Sequence, residues 1–240
     1  MGFNLDDRHI VVTGGAGSLG TAVMELLLKA GAQCSVPCFN DEELESFSLR
    51  ENSSVFTKTP VDLGNEEQCQ DFYESAVEEQ GNLWASIHIA GGFGMGSIEE
   101  TPLSGFNKQL QMNTVTCYNS CRAAVHWMRK SSHNGGRIVN IASQPGIEPR
   151  QGEGMTAYTV AKAGVAALTE SLAAEVVEDD ILVNAIAPSI IDTPANRNAM
   201  PDANYDDWPK PEQLAQQIGY LVSTSNEVTR GGIIPVYGRS

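Results

Sequence analysis

The segment "AYTVAK", Ala157–Lys162, places a tyrosine and a lysine four residues apart. If this segment is helical, Tyr158 and Lys162 face the same way, because positions i and i+4 are neighbours on a helix surface. A free tyrosine, with a pKa of about 10, exchanges protons poorly near neutral pH. A nearby ammonium group favours the phenolate and lowers that pKa. The pair therefore suits general acid–base chemistry.

A second segment, "VVTGGAGSLGTAVMELLLKAG", has the pattern of a buried strand, a glycine-rich turn and an amphipathic helix. Glycines let the backbone approach an anion closely, and a helix N-terminus adds free N–H groups and a positive dipole. In this strand–turn–helix context the glycines predict a turn that holds the pyrophosphate of a dinucleotide. A simple tight turn is the alternative interpretation.

Predicted strands and helices alternate along the chain, and these elements position the residues described above. Apolar runs predict strands at 8–13, 33–39, 55–61, 83–90, 137–142, 181–187 and 233–237. Helical periodicity predicts helices at 19–30, 65–80, 106–129, 158–177 and 212–223. The alternation predicts an α/β, Rossmann-type doubly wound parallel sheet of about seven strands with helices on both faces. We expect residues 1–240 to form a single domain, with segment 190–211 a lid or a disordered loop.

Composition excludes several classes of partner. The formal net charge of −15 argues against binding to nucleic acid or an anionic membrane surface. The chain contains no apolar run of the roughly 18 residues that span a membrane. Its N-terminus, "MGFNLDDRHI", is too acidic for a secretory signal. We therefore expect a cytoplasmic protein that acts on a small molecule.

The five cysteines are expected to be buried, reduced side chains, because an odd number in a large chain without a signal argues against a disulfide framework. Cys117 and Cys121 share one helix face. No histidine or acidic residue stands near them at ligand spacing, so no metal site is predicted.

Five segments together resemble one known family. "TGGAGSLG" is similar to the TGxxxGxG loop of short-chain dehydrogenases/reductases, and "AYTVAK" to their YxxxK motif. "RIVNIAS" resembles the strand that ends in their catalytic serine, and Asn113 in "LQMNTVT" matches their helix asparagine. "VNAIAPSIIDTP" resembles the segment that closes over the nicotinamide. The segments occur in the family's order and cover essentially the whole chain.

The resemblance implies an oxidoreductase that transfers hydride between NAD or NADP and a small ketone or secondary alcohol. Tyr158 would be the acid/base, and Lys162 would lower its pKa and hold the nicotinamide ribose. Ser143 would hydrogen-bond the substrate oxygen, and Asn113 would hold a water that links Lys162 to solvent. The cofactor positions implied are Gly14, Gly15, Ser18, Leu19, Gly20, Asp62, Leu63, Ala90, Gly91, Tyr158, Lys162, Pro188, Ile191 and Thr193.

Three positions depart from the family's pattern. Ser18 occupies the middle glycine of the loop, where a serine fits if the backbone is not left-handed; its hydroxyl would contact phosphate or its bulk would weaken the site. His88, in "HIAG", stands where the family reads NNAG, and we interpret it as a structural replacement rather than a catalyst. Pro188–Ser189 replaces the usual Pro-Gly.

The second strand leaves the choice of cofactor open. In the family an acid there selects NAD and a nearby arginine selects NADP. Here Cys38 and Phe39 occupy those positions, and Asn40 or Asp41 would have to reach the ribose. No lysine or arginine lies between residues 29 and 50, and this favours NAD.

Two alternative functions remain. "AGGFGMG" and "DTPANRNAMPDANYDDW" also resemble parts of dihydropteridine reductases, which reduce quinonoid dihydropterins with NADH. That branch generally lacks the serine and carries an acid at the position of Cys38, so Ser143 favours a carbonyl or alcohol substrate. The altered Ser18, His88 and Cys38 motivate a non-catalytic nucleotide-binding relative, against which the set Asn113, Ser143, Tyr158 and Lys162 argues.

Two further expectations concern surfaces. Met200, Tyr205 and Trp208 would form apolar walls of the substrate site or pack on the surface of the long loop. The helices at 106–129 and 158–177 carry apolar residues on more than one face, so they are covered by more than the sheet. Because relatives pair through these helices, the resemblance implies a homotetramer, or else a homodimer.

Overall fold

The computed structural model of this protein describes residues 3–133 and 135–240. Within them the strands are β1 His9–Thr13, β2 Gln33–Pro37, β3 Val55–Lys58, β4 Leu83–His88, β5 Gly136–Ile141, β6 Ile181–Pro188 and β7 Ile233–Val236. They form a parallel sheet in the order β3-β2-β1-β4-β5-β6-β7. This order confirms the predicted Rossmann-type doubly wound fold.

Helices cover both faces of the sheet. In the same described residues they are α1 Ser18–Lys29, α2 Asp41–Ser46, α3 Glu66–Gln80, α4 Leu103–Gln109, α5 Thr116–Lys130, α6 Gln144–Ile147, α7 Thr156–Glu175, α8 Pro194–Ala199 and α9 Pro211–Val222. On one face α1 and α9 pack on the sheet through residues such as Val23 and Ile218. On the other face α3, α5 and α7 contribute Phe72, Val125 and Val165. None of the described helices is both long and apolar enough to cross a membrane.

The predicted helix at 106–129 is interrupted. The structure has α4, then a wider π-helical turn at Leu110–Val115, then α5. The Asn113 side chain donates a hydrogen bond to the carbonyl oxygen of Gln109 at 3.1 Å, so it competes for the acceptor that a regular α-helix would use. Such π turns occur often at functional sites, and this one carries a predicted catalytic residue.

The long segment after β6 is folded on itself. It contains α8 and a short 3₁₀ turn at Tyr205–Asp207, and Arg197 forms a two-pronged ion pair with Asp192. Trp208 is buried and packs against Tyr205, whose hydroxyl donates to the Pro201 carbonyl at 3.0 Å. The segment is therefore an ordered loop. Tyr205 and Trp208 pack within it rather than lining either cleft described below, and Met200 lines neither cleft.

His9 lies at the end of β1 opposite the glycine turn and is fully buried. Its Nδ1 is 2.8 Å from the Gly81 carbonyl oxygen, which only accepts, so Nδ1 carries the proton. Its Nε2 is 2.9 Å from Ser35 Oγ and accepts from that hydroxyl. Burial lowers the His9 pKa to about 4, although the bond to Gly81 acts the other way. The neutral ring is thus part of the core.

Candidate active site and cofactor cleft

A cleft of about 740 Å³ opens between β1 and β4, where the strand order of the sheet changes direction. It lies at the carboxyl ends of these strands, the position where such sheets bind ligands. Its walls include many of the positions predicted to bind the cofactor: Gly14, Ser18, Leu19, Gly20, Asp62, Leu63, Ala90 and Gly91.

The glycine turn before α1 has no room for side chains. Gly14 has a left-handed φ of 67°, and a Cβ there would lie 2.8 Å from the backbone nitrogen of Ala90. A Cβ on Gly20 would overlap the carbonyl oxygen of Gly14. Gly15 is not among the walls of the cleft; a Cβ there would lie 2.9 Å from the side chain of Val36. The turn therefore brings bare backbone to the cleft.

The N-terminus of α1 points into this turn without a side-chain cap. Its N-cap is Gly17, and its first turn holds no acidic residue. Ser18 is exposed in the first turn, outside the left-handed region, so serine replaces glycine here without backbone strain. In contrast, α3 is capped by the Asn65 side chain. The first N–H groups of α1 and the crowded glycines fit a pyrophosphate.

Asn40 and Asp41, the residues predicted to reach the adenosine ribose, make contacts of their own beyond β2. Asn40 caps α2 by accepting from the Glu43 N–H at 2.9 Å, and Asp41 accepts from Thr59 Oγ1 at 3.3 Å. Neither lines the cleft, whereas Phe39 and Glu43 do. Glu43 Oε2 accepts the Phe39 N–H at 2.7 Å, which holds its carboxylate just beyond β2. Glu43 was not predicted from the sequence. The signal that could have found it is the spacing Asn40-x-x-Glu43, which is typical of the first turn of a helix.

The loop that carries Asp62 and Leu63 is fixed by α4 and its π turn. Asp62 Oδ1 accepts the Gly64 N–H at 2.8 Å, and Gln111 Nε2 donates to the Gly64 carbonyl at 2.9 Å. Lys108, on α4, also lines the cleft. The sequence around β2 contains no lysine or arginine. Lys108, which is distant from β2 in the sequence, therefore brings a positive charge to the cleft.

Asn113 holds the glycine-rich loop after β4 close to the candidate catalytic lysine. It is buried, its Nδ2 donates to the Gly92 carbonyl at 2.9 Å, and its Oδ1 accepts the Gly92 N–H at 3.2 Å. A Cβ on Gly91 would lie 2.7 Å from Asn113 Oδ1 and 3.6 Å from Lys162 Nζ. The absence of a side chain at Gly91 therefore leaves space between these two polar groups.

Lys162 is buried at the end of β5. Its Nζ donates to the Ile141 carbonyl at 2.8 Å. Burial lowers its pKa to about 8, and the neighbouring Cys117 acts in the opposite direction. Because that pKa is above neutral, the ammonium form predominates at pH 7. The site therefore contains a buried positive charge.

Tyr158 and Ser143 come together from α7 and α6. Ser143 is the N-cap of α6, and its Oγ accepts the Gly146 N–H at 3.2 Å. Burial raises the pKa of Tyr158, while a hydrogen bond with Ser143 lowers it. The Phe93 ring meets the Tyr158 ring edge-on, with centroids 5.0 Å apart. A phenol, a hydroxyl and an ammonium group are thus gathered at the ends of β5 and α7.

The remaining predicted cofactor residues lie apart from the 740 Å³ cleft. Pro188 ends β6, which pairs with the β5 strand that leads to Ser143. Ile191 and Thr193 follow it, and Thr193 caps α8 by accepting from the Asn196 N–H at 3.2 Å. These three positions therefore lie at and beyond the end of β6, apart from the glycine turn.

A comparison with known families decides the classification. The family model described as short chain dehydrogenase matches residues 8–204. The chain belongs to this family.

Individual relatives are distant but cover nearly the whole length. The chain is 29% identical to a rhamnolipids biosynthesis 3-oxoacyl-[acyl-carrier-protein] reductase of Pseudomonas aeruginosa, over 98% of this chain and 97% of that protein. It is 28% identical to a 2,5-dichloro-2,5-cyclohexadiene-1,4-diol dehydrogenase of Sphingobium indicum, over 84% and 80% of the two chains. Among solved structures, levodione reductase is 25% identical, with a TM-score of 0.87 and 97% of each chain covered.

Proposed function

We propose that this short-chain dehydrogenase uses NAD to interconvert a ketone and a secondary alcohol on a small, largely apolar molecule. The observation that carries the proposal is the gathering of Asn113, Ser143, Tyr158 and Lys162 beside a glycine turn that fits a pyrophosphate. A non-catalytic nucleotide-binding protein would not need these four groups together.

The side chains divide the proton chemistry among them. Tyr158 gives its phenolic proton to the carbonyl oxygen during reduction and takes it back during oxidation. The Lys162 ammonium stabilises the phenolate that is left, and Ser143 Oγ hydrogen-bonds the substrate oxygen. Asn113 holds the loop next to Lys162 in place. Bound NAD supplies the hydride acceptor, and NADH the donor, for the carbon atom.

Glu43 supports NAD over NADP. Its carboxylate accepts the Phe39 N–H at the end of β2 and lines the cleft, where it would accept hydrogen bonds from the ribose hydroxyls of NAD. A 2′-phosphate at that place would be repelled by the carboxylate. Lys108 lines the same cleft and acts the other way. Since Glu43 follows the strand end at which relatives discriminate the two cofactors, we give it the greater weight.

A smaller cleft beside the candidate catalytic tyrosine supports an apolar substrate. It encloses about 310 Å³ and includes Ile98, Leu103 and Phe106 together with Ala157, the neighbour of Tyr158. Phe93, in edge-on contact with Tyr158, leaves about 60% of its surface exposed. Apolar side chains placed around one proton-exchanging group favour a hydrocarbon-rich ketone or alcohol.

The test is a screen of purified protein with NADH against cyclic and open-chain ketones and a quinonoid dihydropterin, following loss of NADH absorbance. Tyr158→Phe is compared with Tyr220→Phe, a partly exposed tyrosine on α9. We expect ketone turnover that Tyr158→Phe reduces by at least about 100-fold, the lower end of general acid contributions. Turnover of the pterin alone, or ketone turnover unchanged in Tyr158→Phe, would overturn the proposal.

We also propose a homotetramer. Tyr118 on α5 and Val160 on α7 expose about half of their surfaces, 53% and 44%, on the two helices whose apolar faces extend beyond the sheet. Light scattering should give four times the chain mass of 25.7 kDa. A monomer at micromolar concentration would contradict this.

A further inference from the structure

A cluster of metal-binding side chain types lies in the core beneath the candidate active site. His88, at the end of β4, meets Cys117 and Cys121, which share one face of α5. One donor atom from each residue lies within 4.8 Å of the other two, and all three residues are buried. The prediction of no metal site rested only on residues close to Cys117 and Cys121 in the sequence. The histidine is 33 residues from Cys121, and the packing of α5 on β4 brings it there.

We propose that His88, Cys117 and Cys121 bind one zinc ion. For Zn–N and Zn–S bonds of about 2.1 and 2.3 Å, tetrahedral angles separate the nitrogen and sulfur by about 3.6 Å. His88 Nδ1 and Cys121 Sγ are 3.5 Å apart. The structure therefore already holds one edge of the coordination polyhedron near its final length. Cys117 Sγ lies within 4.8 Å of Cys121 Sγ and of a ring nitrogen of His88.

The charges of the proposed site balance. Zn²⁺ displaces one proton from each thiol, and the two thiolates neutralise its charge. His88 stays neutral as its proton moves from Nδ1 to Nε2. A net charge of zero makes the burial of the ion far less costly than that of an unpaired charge. Thiolate and imidazole ligands also select zinc over magnesium or calcium, which prefer oxygen.

The surroundings supply the outer contacts that such a site needs. His88 Nε2 lies 2.8 Å from Ser86 Oγ and 3.3 Å from the Tyr73 hydroxyl, so a proton on Nε2 has acceptors that fix the ring. Asn140 Oδ1 is 2.7 Å from His88 Nδ1 and 3.5 Å from Cys121 Sγ. The Asn140 amide nitrogen donates to Thr169 Oγ1 at 2.9 Å, which keeps the oxygen turned toward the cluster. This oxygen would therefore lie beside the proposed ion.

The ion would connect two elements that carry the candidate active site, β4 and α5, and would lie beside a third, β5. Cys117 lies one helical turn after Asn113, His88 ends the strand before the glycine-rich loop, and Asn140 lies three residues before Ser143. Metal binding would therefore stabilise the frame of the site without contacting substrate. This inference concerns structure and does not depend on the choice of substrate or nucleotide.

The test is the metal content of the full-length protein, purified without chelators from zinc-supplemented medium and measured by mass spectrometry. We expect about one zinc per chain. Cys117→Ala and Cys121→Ala should lower zinc affinity by at least about tenfold, since even the loss of an outer contact has effects of that size. Cys34→Ala, at a buried cysteine of β2 outside the cluster, is the matched control and should retain the zinc.

Two further measurements separate a metal site from a packing effect. Cobalt added to zinc-stripped protein should give the visible ligand-field bands and near-ultraviolet thiolate charge-transfer band of a tetrahedral site, and Cys121→Ala should abolish them. Ser86→Ala should keep these bands but weaken cobalt binding about 10-fold or more, through loss of the contact to His88. Wild-type protein that holds no zinc and gives no cobalt spectrum would overturn the proposal, as would a disulfide between Cys117 and Cys121 in the freshly purified chain.

Discussion

Because His9 is buried, we predict that it makes the free energy of unfolding depend on pH below neutrality. Its pKa is about 4 in the folded chain, against 6.5 for the free side chain. As the pH falls, the unfolded chain therefore binds this proton first. The contribution of neutral His9 to the free energy of unfolding is complete above about pH 6.5 and is lost between about pH 6.5 and 4. A difference of about 2.5 pKa units corresponds to about 3 kcal/mol in all, of which about 2 kcal/mol is lost at pH 5.

The assay is urea denaturation of wild type and His9→Gln at about pH 7.5 and pH 5. In both proteins other titrating groups also lower the free energy of unfolding as the pH falls. The informative quantity is therefore the difference between the decrease in wild type and the decrease in His9→Gln. We expect wild type to lose about 2 kcal/mol more than His9→Gln over this range. His126→Gln, at an exposed histidine on α5, should behave like wild type. Equal losses in wild type and His9→Gln would refute the reasoning.

Three further predictions concern the cleft. Glu43→Ala should lower the ratio of the NADPH dissociation constant to the NADH dissociation constant by about fivefold, because a partly exposed charge contributes up to about 1 kcal/mol. Glu45→Ala, outside the cleft, should leave this ratio unchanged. Gly20→Ala should lower the free energy of unfolding by about 2 kcal/mol through overlap with Gly14, whereas Gly17→Ala should cost less, because its Cβ has room and only the N-cap preference is lost. Asn113→Ala should cost about 1–3 kcal/mol in urea denaturation by unpairing Gly92; wild-type stability in that variant would contradict the role assigned to its side chain.

The alternation of apolar runs was sufficient to predict the sheet and its main helices. This is because a parallel sheet covered on both faces needs strands that are apolar throughout and helices with one apolar stripe. The glycine turn was also predictable, since Gly14 and Gly20 leave no space for a Cβ. Local pattern and tertiary structure agree at these places.

Other features depend on contacts between distant parts of the chain. The π turn follows from the side chain of Asn113, which binds both Gln109 and the remote Gly92. Glu43 lies on α2, a helix with no buried residue, so hydrophobic periodicity does not reveal it. The approach of His88 to the α5 cysteines requires the register of α5 on β4. The spacing of residues along the sequence does not reveal these contacts, because they join distant parts of the chain.

The most direct test of the central claim is a fluorescence titration of the purified protein with NADH and, separately, with NADPH at fixed ionic strength. We predict saturable binding of one NADH per chain and weaker binding of NADPH. Such a result would support the proposal that the turn containing Ser18 holds a dinucleotide and that the charges of the cleft favour NAD. Failure of both nucleotides to bind at millimolar concentration would contradict the account, and the chain would then be a short-chain dehydrogenase fold without its cofactor.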